Sequence, residues 1–287
     1  MKYAVLSENI PNNHELIFNK TNSKIIEIEL VKVIIPFYTA GMLECKHLTK
    51  RYGNQKRNAV DDLSLSIGSG QIFGFLGPNG AGKSTTIKML VGLLTADQGA
   101  ILFDGKDSKT DALSYKQNIG YVPDEPVFYE RMTGMEHLSF IADIYEVEQT
   151  IRKERIETLA KTLLLYDALS DQISSYSHGM KQKLSVIAAL LPSPKLLILD
   201  EPMVGLDPKA SYILKQLLKD YAQAGNTVFF STHVLEVAQQ LCDTLGIISK
   251  GKLLYSGTFE ALQAKKGEGT ENLEQLFLEL TEEGKLS

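Results

Sequence analysis

The segment that most constrains the fold is Gly77–Ser84, which reads GPNGAGKS. It fits the pattern G-x-x-x-x-G-K-[ST], with the apolar run Gln71–Gly77 before it and a helical pattern over Lys83–Leu93 after it. Glycines let the backbone close around an anion with successive N–H groups pointing inward, and a helix N-terminus adds partial positive charge. A chance match would not bring a strand and a helix with it. The context therefore predicts a phosphate-binding loop in an α/β fold.

The side chains of this loop predict a nucleoside triphosphate and Mg²⁺ as ligands. Lys83 is expected to reach the β- and γ-phosphates, and the Ser84 hydroxyl is expected to bind Mg²⁺. Thr85 can add a further contact to phosphate. The residues expected to contact the nucleotide are Gly77, Pro78, Asn79, Gly80, Ala81, Gly82, Lys83, Ser84 and Thr85.

Two adjacent acids, Asp200 and Glu201, follow the fully apolar run Leu196–Leu199. In wound α/β sheets, ligands bind outside the carboxyl ends of the strands. Asp200 suits Mg²⁺, which prefers hard oxygen ligands, and Glu201 can polarise the attacking water as a general base. Acids that only end a strand at a solvated turn would give the same local pattern. The phosphate-binding loop in the same chain favours the catalytic interpretation.

Strand patterns alternate with helical patterns from Met42 to Tyr255, which is typical of a wound α/β sheet. Helical patterns alone fill about 126–192, which predicts a helical subdomain inserted into the sheet domain. We expect an ATPase-type domain over 42–265 and a helical tail over 266–287. The first 41 residues lack a regular pattern and are expected to be a disordered extension or to precede the true start at Met42. The alternative is a regulatory or membrane-touching arm.

Composition narrows the class of protein. The chain has 287 residues and a formal net charge of −5, which argues against a protein that coats nucleic acid. Cys45 and Cys242 form no disulfide framework or metal-ligand spacing, which predicts a reducing, cytosolic compartment. No segment reaches the ~20 apolar residues needed to span a bilayer. If the chain works in transport, another polypeptide must form the membrane pathway.

Further segments make the chain resemble the ABC ATPase family. Tyr176–Met180, which reads YSHGM, lies about twenty residues before the Asp200 strand and resembles the family signature LSGGQ. Gly205–Pro208 resembles the D-loop, Ser231–His233 resembles the switch histidine, and Tyr52 resembles the aromatic residue that stacks on adenine. The resemblance covers about 42–259. It implies a P-loop NTPase fold, with a RecA-like core, an antiparallel β subdomain and the inserted helical subdomain.

The resemblance implies a head-to-tail dimer with ATP and Mg²⁺ between the subunits. His233 would contact the γ-phosphate and orient the water, Asp207 would belong to the D-loop, and Tyr52 would stack on adenine. Taken alone, a tyrosine here could be a core or rim residue, and a histidine here could be a helix cap. The residues implied to contact ATP on the opposite subunit are Ser177, His178, Gly179 and Met180.

The resemblance also implies partners. These are an ABC permease on a separate chain and a second ATPase subunit, for which a homodimer suffices because the chain carries every motif. The chain would be cytoplasmic and attached to the inner face of the membrane through the permease, with no nucleic acid as partner. In this family the permease selects the transported substrate. The signature pattern resembles that of bacterial exporters, which implies export.

The chain departs from the family pattern at Asp124, where the family normally has glutamine. Glutamine both donates and accepts hydrogen bonds, whereas a carboxylate only accepts. Asp124 remains a candidate ATP-site residue that can touch Mg²⁺ or its water, and a solvated acidic turn is the alternative.

Two rival functions fit the sequence less well. A soluble ABC ATPase that acts on ribosomes or DNA typically has two cassettes or a long coiled coil, whereas this chain has a single phosphate-binding loop. A P-loop kinase of small metabolites leaves the resemblance to the signature unexplained.

Overall fold

The computed structural model describes residues 42–54, 56–264, 277, 280 and 281. The chain divides into two units, 1–39 and 40–287, and every described residue lies in the second. The predicted N-terminal extension (1–41) and most of the predicted helical tail (266–287) lie outside the described residues. The predicted domain bounds therefore stay a prediction.

Ten β-strands are found among the described residues. They are β1 (Leu43–Lys50), β2 (Val60–Ile67), β3 (Ile72–Leu76), β4 (Gln98–Phe103), β5 (Lys106–Asp107), β6 (Ile119–Val122), β7 (Leu196–Asp200), β8 (Thr227–Thr232), β9 (Thr244–Ser249) and β10 (Lys252–Gly257).

The helices complete the set of elements. The α-helices are α1 (Lys83–Leu90), α2 (Ala112–Gln117), α3 (Gly134–Ile144), α4 (Gln149–Thr162), α5 (His178–Leu190), α6 (Pro208–Gln223), α7 (Leu235–Leu241) and α8 (Phe259–Ala264). Short 3₁₀ turns cover Tyr166–Ala168 and Ile173–Ser175.

The strands form two sheets. The smaller sheet is antiparallel, in the order β2-β1-β4-β5. The larger sheet has the order β10-β9-β3-β8-β7-β6, in which β9, β3, β8, β7 and β6 are parallel and β10 is antiparallel at the edge. This architecture confirms the predicted α/β fold of a P-loop NTPase with an added antiparallel sheet.

The sequence patterns follow from the place of each strand. β3 lies between β8 and β9, and all five of its residues are buried, so it reads as a continuous apolar run. In β2, by contrast, Leu63, Leu65 and Ile67 are buried and alternate with exposed serines. One face of that sheet therefore meets solvent. The carboxyl ends of β3, β7 and β8 meet at one edge, and that edge carries the candidate site.

Helices α3, α4 and α5 lie in the chain between β6 and β7. Thr133 caps α3, since its hydroxyl accepts from Glu136 N while the Glu136 carboxylate accepts from Thr133 N. Leu138 of α3, Ile156 of α4 and Leu184 of α5 belong to one hydrophobic cluster. Among the described residues, no helix combines the length and apolarity needed to cross a membrane.

Two details differ from the sequence prediction. The helix predicted over Lys83–Leu93 ends at Leu90, because Gly92 adopts a left-handed conformation (φ 74°) that terminates it. The six-residue helices α2 and α8 and the two-residue strand β5 were not predicted. All three are too short to give a periodic pattern.

Candidate functional site

The loop between β3 and α1 has the backbone shape that its glycines predict. Gly80 and Gly82 have φ values of 78° and 114°. A Cβ on Gly82 would lie 2.5 Å from the Ala59 carbonyl oxygen, and one on Gly77 would lie 2.4 Å from the Ile248 carbonyl oxygen. Positions 77 and 82 therefore have no room for a side chain next to the neighbouring backbone. The positive φ of Gly82 is a second reason why position 82 favours glycine.

Lys83 begins α1 and is buried, with 7% of its surface exposed. Its Nζ donates to the Gly77 carbonyl oxygen at 2.7 Å and lies 3.5 Å from Glu201 Oε1. The ammonium group is thereby held inside the loop, next to the first N–H groups of α1. Those N–H groups have no carbonyl partner within the helix and favour an anion.

Asp200 and Glu201 are linked through Ser231 on the neighbouring strand. The Ser231 hydroxyl donates to Asp200 Oδ1 at 2.5 Å and accepts from Glu201 N at 3.1 Å. Sequence reasoning gave Ser231 no role in the site. The signal that can find it is the parallel register of β7 and β8, which places Ser231 directly opposite Asp200.

The Glu201 carboxylate lies between two cationic or hydrogen-bonding side chains. Its Oε1 is 3.0 Å from His233 Nδ1 and 3.5 Å from Lys83 Nζ. The Glu201 backbone has φ 48°, a conformation that is uncommon for a residue with a side chain. The structure thus brings the predicted general base, the predicted switch histidine and the phosphate-loop lysine together.

Lys83 and Glu201 line a cleft together with Asp124, whereas Asp200 and His233 lie outside its lining. Partial burial, followed by the negative charges of Asp200, Glu201 and Glu125, raises the pKa of Asp124, while His178 opposes this effect. The residues that line the cleft are Ala59, Pro78, Asn79, Gly80, Gly82, Lys83, Ser84, Thr85, Asp124 and Glu201.

Tyr52 lies beside this cleft rather than among its lining residues. Its hydroxyl is 3.5 Å from Thr85 Oγ1, and 39% of its surface is exposed. The ring can therefore meet a base that extends from the phosphate loop.

The signature-like residues lie outside the lining of this cleft. Ser177 is the N-cap of α5, where its hydroxyl accepts from Met180 N at 3.3 Å. The His178 ring packs on Gly205, since a Cβ there would lie 2.1 Å from His178 Cδ2. Gly179 is adjacent, because its own Cβ would lie 3.0 Å from the Gly205 carbonyl oxygen. The signature-like and D-loop-like segments therefore form one packed surface.

Asp207 completes that surface as the N-cap of α6. Its carboxylate accepts from Ala210 N at 2.9 Å, and this hydrogen bond lowers the pKa of Asp207. Pro208 follows as the first residue of the helix.

The residues at the cleft suit a magnesium ion that is shared with phosphate. The described residues contain no group of three or more His, Cys, Asp or Glu arranged to hold a metal. Ser84 in the cleft lining and Asp200 at the end of β7 nevertheless offer hard oxygens, and among the described residues Asp200 accepts a hydrogen bond at Oδ1 only. Mg²⁺ usually keeps waters and takes few protein ligands beside phosphate oxygens. The assignment of roles to these residues stays a prediction.

The sequence matches the family described as "ABC transporter" over residues 60–204. It also matches an AAA domain family described as "putative AbiEii toxin, Type IV TA system" over the shorter segment 172–237. That segment includes α5 and the strand that ends in Asp200.

Two relatives and one solved structure agree with the longer match. The ABC-type transporter ATP-binding protein EcsA of Bacillus subtilis is 37% identical over 85% of this chain and 98% of its own length. The bacitracin transport ATP-binding protein BcrA of Bacillus licheniformis is 38% identical over 78% of this chain and 72% of its own. A structure titled "Structure of ATP binding subunit of ABC transporter" has a TM-score of 0.78 and 34% identity, and the match covers 83% of this chain and 99% of that one.

Proposed function

The chain belongs to the ABC transporter family as an ATP-binding, ATP-hydrolysing subunit, and from this premise we propose that it powers export through a permease formed by a separate chain. The observation that carries the proposal is the position of Glu201. Its carboxylate lies beside both the phosphate-loop lysine and His233. This is the arrangement that an attacking water needs at the γ-phosphate.

ATP binding follows from the loop and α1. Lys83 Nζ is held by carbonyl oxygens of the loop and can exchange them for phosphate oxygens without leaving the cleft. The N–H groups at the start of α1 add donors for the same anion. Ser84 and Asp200 would hold Mg²⁺, which supplies positive charge to the β- and γ-phosphates when it is bound.

Hydrolysis is assigned to Glu201 as general base. Its carboxylate can accept a proton from water, and His233 can orient that water and the γ-phosphate. Ser231 positions both acids, because its hydroxyl contacts the Asp200 carboxylate and the Glu201 backbone. Donors and acceptors that are already held in place stabilise the transition state without having to reorient during the reaction.

A second copy of the chain would complete each site. Ser177 and Gly179 lie at the N-terminus of the thirteen-residue helix α5, where free N–H groups favour an anion, yet they do not line the cleft of their own chain. In a head-to-tail homodimer they would face the γ-phosphate bound by the opposite subunit, giving two sites per pair.

The permease is proposed to dock on the helical region. Between the segment that follows β6 and helices α3 and α5 lies a groove with a largely apolar lining, and Val127 at its edge is 93% exposed. Such a groove suits an amphipathic helix of a membrane protein. Lining residues include Tyr121, Pro126, Val127, Phe128, Ile141 and Tyr145.

Two observations support export as the direction. The signature resembles that of bacterial exporters, and one of the matched relatives is named for bacitracin transport. The permease would choose the substrate. The chain would then lie at the cytoplasmic face of the membrane through that partner.

The docking proposal is tested in the organism that encodes the chain. We expect the tagged chain to sediment with membranes and to copurify with a multi-span protein, and Val127→Glu to move it to the soluble fraction. The matched control is Leu113→Glu, which changes an equally apolar, 72% exposed residue on α2. A wild-type chain that stays soluble and brings down no membrane protein would contradict the proposal.

A further inference from the structure

Asp124 stands in the ATP cleft where the family resemblance predicts glutamine. It shares the cleft lining with Lys83, Ser84 and Glu201. Partial burial, together with the negative charges of Asp200 and Glu201, raises the pKa of its carboxyl. When this carboxyl is ionised, its negative charge lies on the wall of a site that must accept a polyanion.

Glu201, the other acid in the cleft lining, has cationic or hydrogen-bonding partners beside its carboxylate, and Asp124 does not. Glu201 has Lys83 and His233 beside it, and Asp200 accepts the Ser231 hydroxyl. No described residue forms a hydrogen bond or ion pair with the Asp124 carboxylate.

The cleft lining offers little positive charge to a phosphate group. Among the described residues that line the cleft, Lys83 is the one cationic side chain, and it already lies beside Glu201. Metal-free ATP would bring further negative charge against this wall. A divalent cation bound with the nucleotide offsets that charge, and the Asp124 carboxylate then attracts the cation instead of repelling the phosphates.

We propose that the Asp124 carboxylate increases the dependence of nucleotide binding on a divalent cation, by disfavouring metal-free ATP and favouring the magnesium complex. The inference rests on the proposed use of ATP with Mg²⁺ at this cleft. It assigns to Asp124 the selection of the charge state of the nucleotide, a role that a glutamine amide cannot perform because it carries no charge.

The test is a binding measurement that does not depend on turnover. Calorimetric titration of the purified full chain with the non-hydrolysable β,γ-imido analogue of ATP is run once with Mg²⁺ and once with EDTA. The quantity compared is the dissociation constant in EDTA divided by the dissociation constant in Mg²⁺. For Asp124→Asn, which removes the charge and keeps the shape, we expect metal-free affinity to rise about three- to tenfold and the ratio to fall accordingly.

Two variants serve as controls. Asp124→Glu keeps the charge and should keep the wild-type ratio. Glu125→Gln removes the neighbouring exposed acid, which does not line the cleft, and should also leave the ratio unchanged. Thermal unfolding of each variant confirms that it is folded.

The outcomes separate the inference from the proposed function. An Asp124→Asn ratio equal to the wild-type ratio overturns the inference, even though the analogue still binds. A ratio that falls equally in Glu125→Gln also overturns it, because general surface charge would then be responsible. If the wild-type chain binds the analogue under neither condition, the proposed function itself fails.

Discussion

At the edge of the larger sheet, the Nδ1 atom of His233 lies 3.0 Å from the Oε1 atom of Glu201. This contact fixes the imidazole ring through one nitrogen, and the side chain remains about half exposed at 49%. The second nitrogen can then face a phosphate oxygen. The pair joins the ends of two neighbouring parallel strands, β7 and β8, so the geometry of the sheet sets the geometry of the proposed catalytic groups.

His233→Ala is expected to lower kcat about a hundredfold, because a donor to the γ-phosphate and the orientation of Glu201 are both lost. The dissociation constant for ATP should change little, since Lys83 and the loop remain. Steady-state ATPase assays and equilibrium binding measure the two effects. His47→Ala, which changes an exposed histidine on β1, is the control. Wild-type turnover in His233→Ala would remove His233 from the catalytic step.

Lys83→Ala is expected to weaken ATP binding about ten- to a hundredfold, because charge-assisted hydrogen bonds contribute about 1.5–3 kcal/mol each. Lys88→Ala is the matched control, since Lys88 lies on the same helix but is exposed and away from the cleft lining. Binding of a fluorescent ATP analogue measures both. Equal affinities in the two variants would argue against nucleotide binding at this loop.

Gly205→Ala is expected to lower the free energy of unfolding by more than the cost of a left-handed backbone, about 1–2 kcal/mol, because the new Cβ also meets the His178 ring. Gly225→Ala isolates the backbone cost, since Gly225 has φ 93° and a Cβ there would have no atom within 4 Å. Urea unfolding measures both. In a His178→Ala background the cost at Gly205 should fall to that at Gly225. No such fall would mean that the ring contact is unimportant.

Burial lowers the pKa of His137, so the folded protein resists protonation there. The unfolded chain takes up that proton near pH 6.5. The contribution of neutral, buried His137 to the free energy of unfolding is therefore fully present above about pH 6.5 and is lost as the pH falls below it. We expect the drop in Tm between about pH 7.5 and about pH 5.5 to be smaller in His137→Gln than in the wild type. An unchanged drop in His137→Gln would contradict this assignment.

The sequence was sufficient for the features that depend on local pattern. The apolar runs of β3 and β7 predicted buried strands, and Gly77–Ser84 predicted the loop between β3 and α1, because each signal lies within a few consecutive residues. Asp200 and Glu201 could be placed at the correct edge of the sheet by the same reasoning.

Contacts between distant segments could not be predicted in this way. The packing of His178 on Gly205 and the hydrogen bonds of Ser231 join residues that are about thirty positions apart and depend on the register of strands and loops. The positive φ of Glu201 is equally invisible in the sequence, because an acid gives no signal of the left-handed conformation that glycine gives.

The most direct test of the central claim is the rate of ATP hydrolysis by the purified chain and by Glu201→Gln, measured together with sizing chromatography in ATP. We predict that the variant loses turnover by about 10²–10⁴-fold, still binds ATP, and forms ATP-dependent dimers, because the general base is gone while the binding groups remain. Turnover at the wild-type rate in Glu201→Gln would contradict the account and would direct attention to His233 or Asp124 as the base.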